Sequence, residues 1–150
     1  MSGNCPMCRA KTPTSDEEIV KYLHPWVKKK KAWAQAHMGQ KYRDGNGVKQ
    51  SFEMARRLYE LAAQQGYVDA MYDLGVMFQH GEGVEVSYEK AFEYYEQAAH
   101  LGYAKAQYNL GCMYAKGLGV EQNMVTAMKW VKKAAAQGDE SAIAQLQRMK

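Results

Sequence analysis

Apolar residues recur along most of this chain at the spacing of one helical face. Ala70, Leu74 and Phe78 fall at i, i+4 and i+8, flanked by the polar residues Asp69 and Gln79. A second stripe follows in Ala91, Tyr94, Tyr95, Ala98 and Ala99, at i, i+3, i+4, i+7 and i+8. Between the stripes, Gly81-Glu82-Gly83-Val84 permits the positive φ of a chain reversal, and Gly102 stands where a helix C-cap is expected. The pattern predicts a helix–turn–helix unit.

That unit repeats with a period of 36 residues. Gly39, Gly75 and Gly111 hold this spacing, as do Gly45, Gly81 and Gly117, then Gly47, Gly83 and Gly119, then Val48, Val84 and Val120. Ala55, Ala91 and Ala127 follow, then the pairs Ala62-Ala63, Ala98-Ala99 and Ala134-Ala135, and Gly66, Gly102 and Gly138 close each unit. The glycine after the central leucine removes a Cβ and lets a neighbouring helix approach. The predicted fold is an all-α solenoid of three 36-residue units, 31–66, 67–102 and 103–138, with a partial unit at 139–150 as a C-terminal capping helix. In that last piece Ala142 and Leu146 continue the columns of Ala34 and Met38. The first unit is atypical, with Met38 in place of leucine and Ala36 where Tyr72 and Tyr108 stand, as expected of a terminal repeat.

The segment Ala106-Gln-Tyr-Asn-Leu-Gly-Cys-Met-Tyr-Ala-Lys-Gly-Leu-Gly-Val120 resembles the Sel-1-like repeat, a relative of the tetratricopeptide repeat, and the likeness extends over 31–150. The resemblance implies a right-handed superhelix with a concave face that binds protein. By analogy, that face is lined by first-helix residues outside the packing columns. These are Trp33, Gln40 and Arg43 in the first unit, Asp69, Tyr72, Gln79 and His80 in the second, and Lys105, Tyr108 and Lys116 in the third. Arg43, Tyr72 and Tyr108 rank first as partner contacts by residue type. Packing between repeats is an equally open role for the two tyrosines.

Ahead of the repeats, Ser15-Asp16-Glu17-Glu18 reads as a capping box, and Ile19, Leu23 and Val27 share one face. The expectation is a helix within 15–30 that lies as a lid on the first unit, kinked or interrupted at Pro25. Residues 1–14 contain Cys5-Pro6-Met7-Cys8-Arg9, similar to the last zinc-ligand pair of a RING-type finger. Proteins of microbial eukaryotes that join such a finger to Sel-1-like repeats show the same order of segments. The likeness implies Cys5 and Cys8 as zinc ligands, and Pro6 and Arg9 as contacts to a ubiquitin-conjugating enzyme, in a longer parent protein. A structural zinc site takes four donors, the chain begins four residues before Cys5, and His24 and His37 fit no ordinary ligand spacing. The 1–14 stretch is therefore read as a remnant of a finger. The alternative function is the substrate-recognition part of a RING-type ubiquitin ligase; the repeats themselves call for no cofactor.

Composition narrows the classes further. The 150 residues suffice for one domain, and 47% hydrophobic with 24% charged residues is globular usage. A net charge of +4 does not point to nucleic acid, and the cation run Lys28–Lys31 has no interleaved aromatic platform, so it reads as a solvated helix junction. No apolar run suggests a signal peptide or a membrane span, and three scattered cysteines, Cys5, Cys8 and Cys112, suit a reducing, cytoplasmic setting. The Gly-x-Gly loops follow no strand and lack a third glycine, which sets aside a phosphate cradle. Cys5 and Cys8 lack the strand-to-helix context of a redox pair. His80 and His100 read as structural, and most of the ten methionines as core filling. Secreted cysteine-rich relatives linked to penicillin hydrolysis carry a disulfide in each repeat, whereas this array holds Cys112 alone. The expected partner is a protein or peptide, bound by a monomer without catalysis.

Overall fold

Four hydrogen-bonding side chains spaced by 36 residues each begin a helix. The Ser15, Ser51 and Ser87 hydroxyls accept from the amides of Glu18, Met54 and Lys90 at 3.2, 3.2 and 3.3 Å, and Asn123 Oδ1 accepts from Thr126 at 3.0 Å. In the computed structural model, which describes residues 12–150, these caps open α1 (Asp16–Lys28), α3 (Phe52–Gln64), α5 (Tyr88–His100) and α7 (Met124–Ala136). Alternating with them are α2 (Ala32–Asp44), α4 (Val68–His80), α6 (Ala104–Lys116) and α8 (Glu140–Arg148). The described residues are thus all-helical, and each helix packs mainly on its neighbours in sequence, as a solenoid requires.

The register places α1 more definitely than a lid. Its span lies 36 residues before that of α3, so α1 occupies the place of a second helix in a preceding unit. Packing agrees. Gly47 abuts the backbone of Asp16 at the start of α1, as Gly83 abuts Phe52 and Gly119 abuts Tyr88. Val20 and Leu23 are buried against Ala34, Met38 and Leu58. Among the described residues the array therefore runs from a second-type helix, α1, to a first-type one, α8.

Two expectations for α1 are corrected. Pro25 does not interrupt it, since the helix runs on to Lys28 and the Lys29 amide donates to the Pro25 carbonyl at 3.1 Å. Pro25 lies near the end, and both it and Lys21, whose carbonyl loses its donor, are exposed on the solvent side. The capping box is only half formed. Glu18 Oε2 accepts from the Thr14 amide at 2.8 Å and its hydroxyl at 3.2 Å, one residue beyond the Ser15 amide. Those bonds hold the Glu18 carboxyl below its ordinary range.

Within a unit the two helices meet across the glycine that follows the central leucine. A Cβ at Gly75 would lie 2.6 Å from the Tyr95 ring, so the aromatic occupies the space the glycine leaves. The reversal after α4 needs φ +70° at Gly81, a left-handed value that L side chains resist. Leu74, Leu110, Tyr59 and Tyr95 are fully enclosed, whereas Leu146 of α8 is only partly covered.

Candidate partner-binding face

The first helices α2, α4 and α6 contribute side chains to one common depression. On α4, Asp69 and Asp73 stand one turn apart and share a face. Around them Ala36, His37, Gln40, Tyr67, Tyr72, Tyr103 and Lys105 complete a depression of about 250 Å³ that spans all three units. Ala36 occupies the column that holds Tyr72 and Tyr108, and the missing ring opens the floor on the α2 side. Tyr72 forms one wall, with ring centroids 5.7 Å from Tyr95 and 5.2 Å from Tyr103.

The electrostatics are set by partly buried carboxylates. Burial pushes Asp73 up to about 6; Arg43 opposes the shift, and Asp69, Asp44 and Glu82 add to it. Arg43 Nη1 stands 3.7 Å from Asp73, but the same guanidinium is held by Glu82 through Nε at 2.6 Å and Nη2 at 2.9 Å. Burial first, then Asp69, raises the hydroxyls of Tyr67 and Tyr103, which stay neutral. The Tyr59 hydroxyl, on a side chain with 0% exposure, has no hydrogen-bond partner, while its counterpart Tyr95 donates to Gln79 Oε1 at 2.6 Å.

Of the residues nominated from sequence, the structure brings Gln40, Asp69, Tyr72 and Lys105 together in the depression. The others lie elsewhere. Trp33 packs on Trp26 of α1 at 5.8 Å and on His37 at 6.3 Å. Arg43 clamps α2 to the loop after α4 through Glu82 and is not a free anchor. Gln79 is occupied by the Tyr95 hydroxyl. Tyr108 packs against Val131, Ala134 and Ala142, so here the inter-element packing role holds. His80 and Lys116 are the exposed last residues of their helices, outside the depression.

Sequence reasoning missed His37, Tyr67, Asp73 and Tyr103. The Asp69–Asp73 spacing was a legible signal, as was the 36-residue spacing of the two tyrosines that precede α4 and α6. Cys5 and Cys8 lie outside the described residues. Among the described residues no three His, Cys, Asp or Glu side chains gather to hold a metal ion, and no helix is long and apolar enough to cross a membrane.

Three consecutive segments, 34–67, 68–103 and 104–139, match the Sel1 repeat family. No curated protein matches the chain. Among solved structures, a Sel1 repeat protein from Oxalobacter formigenes is 37% identical, with a TM-score of 0.79 over 86% of this chain and 97% of that one. The protective antigen c5321 of uropathogenic Escherichia coli, with an SLR fold, is 36% identical, with a TM-score of 0.80 over 82% of this chain. The match spans 26% of that antigen's length. Helicobacter pylori cysteine rich protein B is similar in fold at 22% identity, with a TM-score of 0.67 over 83% of this chain and 95% of that one.

Proposed function

The chain belongs to the Sel1 repeat family, and on that premise we propose that it is an interaction scaffold that binds a protein or peptide on the face formed by α2, α4 and α6. The observation that carries this reading is the depression at Asp69 and Asp73, where side chains from three units converge. A repeat array offers an extended surface in place of a deep enclosed site. The depression also lacks the enclosure and volume, roughly 300–1,000 Å³, typical of small-molecule pockets. No nucleophile–base pair lines it, so the supported role is recognition without catalysis. The ligase reading rests on Cys5 and Cys8, outside the described residues.

Site-specific photocrosslinking tests the face. A benzophenone side chain is placed at Gln40 or His37 within it, and at Leu61 or Glu93, exposed on second helices. The expected result, in extract of the cells that make the protein, is the same discrete adduct from both first-face positions and none from the second-helix positions. Adducts confined to Leu61 or Glu93 would reject the assignment.

A further inference from the structure

We propose that the depression between α2, α4 and α6 receives one lysine or arginine side chain of the bound partner, with Asp69 and Asp73 as counter-charges and Tyr67, Tyr72 and Tyr103 as walls. The inference rests on the reading that the partner occupies this face.

The Asp73 side chain is 27% exposed, and its nearest cation, Arg43 at 3.7 Å, is already bonded twice to Glu82. A carboxylate taken partly from water, with a counter-ion that is distant and shared with Glu82, lowers fold stability unless something else compensates it. Nothing in the core needs a charge there. The same column holds His37 in the first unit and Asn109 in the third, so the fold accepts other residues at this place. Asp69 adds a second negative charge one turn away, and the two face the same opening.

The walls favour a cation as well. Tyrosine ring faces attract ammonium and guanidinium groups, and three tyrosines surround the carboxylates. Their hydroxyls, raised by burial, stay neutral and add no competing charge. Behind Asp73, the Tyr59 hydroxyl is buried without a partner and within electrostatic reach of Asp73 and Arg43. A volume of about 250 Å³ admits one long side chain and excludes a folded element. Exposed Lys105 stands at the rim as the protein's own competing cation.

The test is selection of phage-displayed random peptides on the wild-type chain, followed by fluorescence anisotropy of the selected peptides on variants. Peptides that use the face are those displaced by Gln40→Trp, which fills the depression from α2. The expected peptides carry one lysine or arginine at a fixed place. They bind Asp69→Asn/Asp73→Asn at least ten-fold more weakly, and Lys105→Ala several-fold more tightly. Replacing the peptide's basic residue by glutamine reproduces the ten-fold loss on the wild-type chain and adds nothing on the double variant. The loss read on the wild-type chain does not depend on how well the variant folds. Face-dependent peptides with no fixed basic residue, or with equal affinity for the double variant, overturn the cation and leave the face standing. Peptides indifferent to Gln40→Trp, or no selected peptides at all, overturn both.

Discussion

In the third unit Gln107 is buried in α6, donating to the Ala99 carbonyl at 3.1 Å and accepting from Gln137 at 2.7 Å. The first unit repeats the side-chain bond, with Gln65 donating to Gln35 at 2.8 Å. At the same two columns the second unit carries Met71 and Leu101, and neither can form that bond. A second pair of bonds follows the same division. Gln50 and Gln122 donate to the carbonyls of Arg43 and Ala115, both at 2.8 Å, where the second unit has Val86. The backbone is held in common, yet these amide bonds are confined to the outer units. The middle one has apolar side chains at the same columns and joins α4 to α5 through the Tyr95–Gln79 bond. The columns change in pairs because a buried amide left alone would lose its partner. Of the polar side chains on α4, Gln79 accepts from Tyr95, and Asp69 and Asp73 face the depression.

The largest expected effect tests whether apolar contact dominates the middle unit. Leu74→Ala removes a fully enclosed side chain and should cost about 2–5 kcal/mol, a large part of the roughly 5–15 kcal/mol of a whole domain. Leu146→Ala, at the half-covered end, should cost clearly less in the same urea titrations followed by circular dichroism. Equal losses would remove the gradient from middle to end.

Gly75→Val asks the opposite question, by overfilling. Its Cβ would meet the Tyr95 ring at 2.6 Å, so a loss of about 1–3 kcal/mol or more is expected. Retention of wild-type stability would mean that the α4–α5 seam can open.

A smaller effect concerns Asp73. Its carboxyl binds a proton near pH 6 when folded and near about 4 when unfolded, so the native state holds more protons in between. Its contribution is therefore fully present below about pH 4 and is lost as pH rises through 6. Asp73→Asn should stabilise the protein at pH 7 by on the order of 1 kcal/mol and flatten that part of the pH–stability curve. A destabilised variant at pH 7 would show that Asp73 serves the fold.

The smallest effect probes the paired columns directly. Gln137→Leu leaves Gln107 without one partner and should cost about 1 kcal/mol. Adding Gln107→Met reproduces the chemistry of the middle unit and should restore most of the loss in a double-mutant cycle. Additive losses would show that the two columns are independent.

The sequence by itself determined the helix–turn–helix units, their 36-residue period, the turn glycines and the enclosed column of Leu74 and Leu110. These follow from local geometry and from the spacing of apolar residues, which a single unit already displays. It also marked Gln40, Asp69, Tyr72 and Lys105 as residues outside the packing columns. The place of α1 was written in the Ser15, Ser51, Ser87 and Asn123 series, but Trp26 and Val27 stand where the other units have their alanine pairs and hid the register. Only the tertiary structure decided which polar residues were already engaged. Arg43 meets Glu82 across 39 residues and Gln79 meets Tyr95 across 16, partners that a helical wheel cannot reveal. Stacking also made one site of His37, Asp73 and Tyr103, because only the folded array brings side chains of three units to one depression. Periodicity dictates the stacking, and the residues outside the repeat columns, which periodicity leaves free, decide the chemistry of the face.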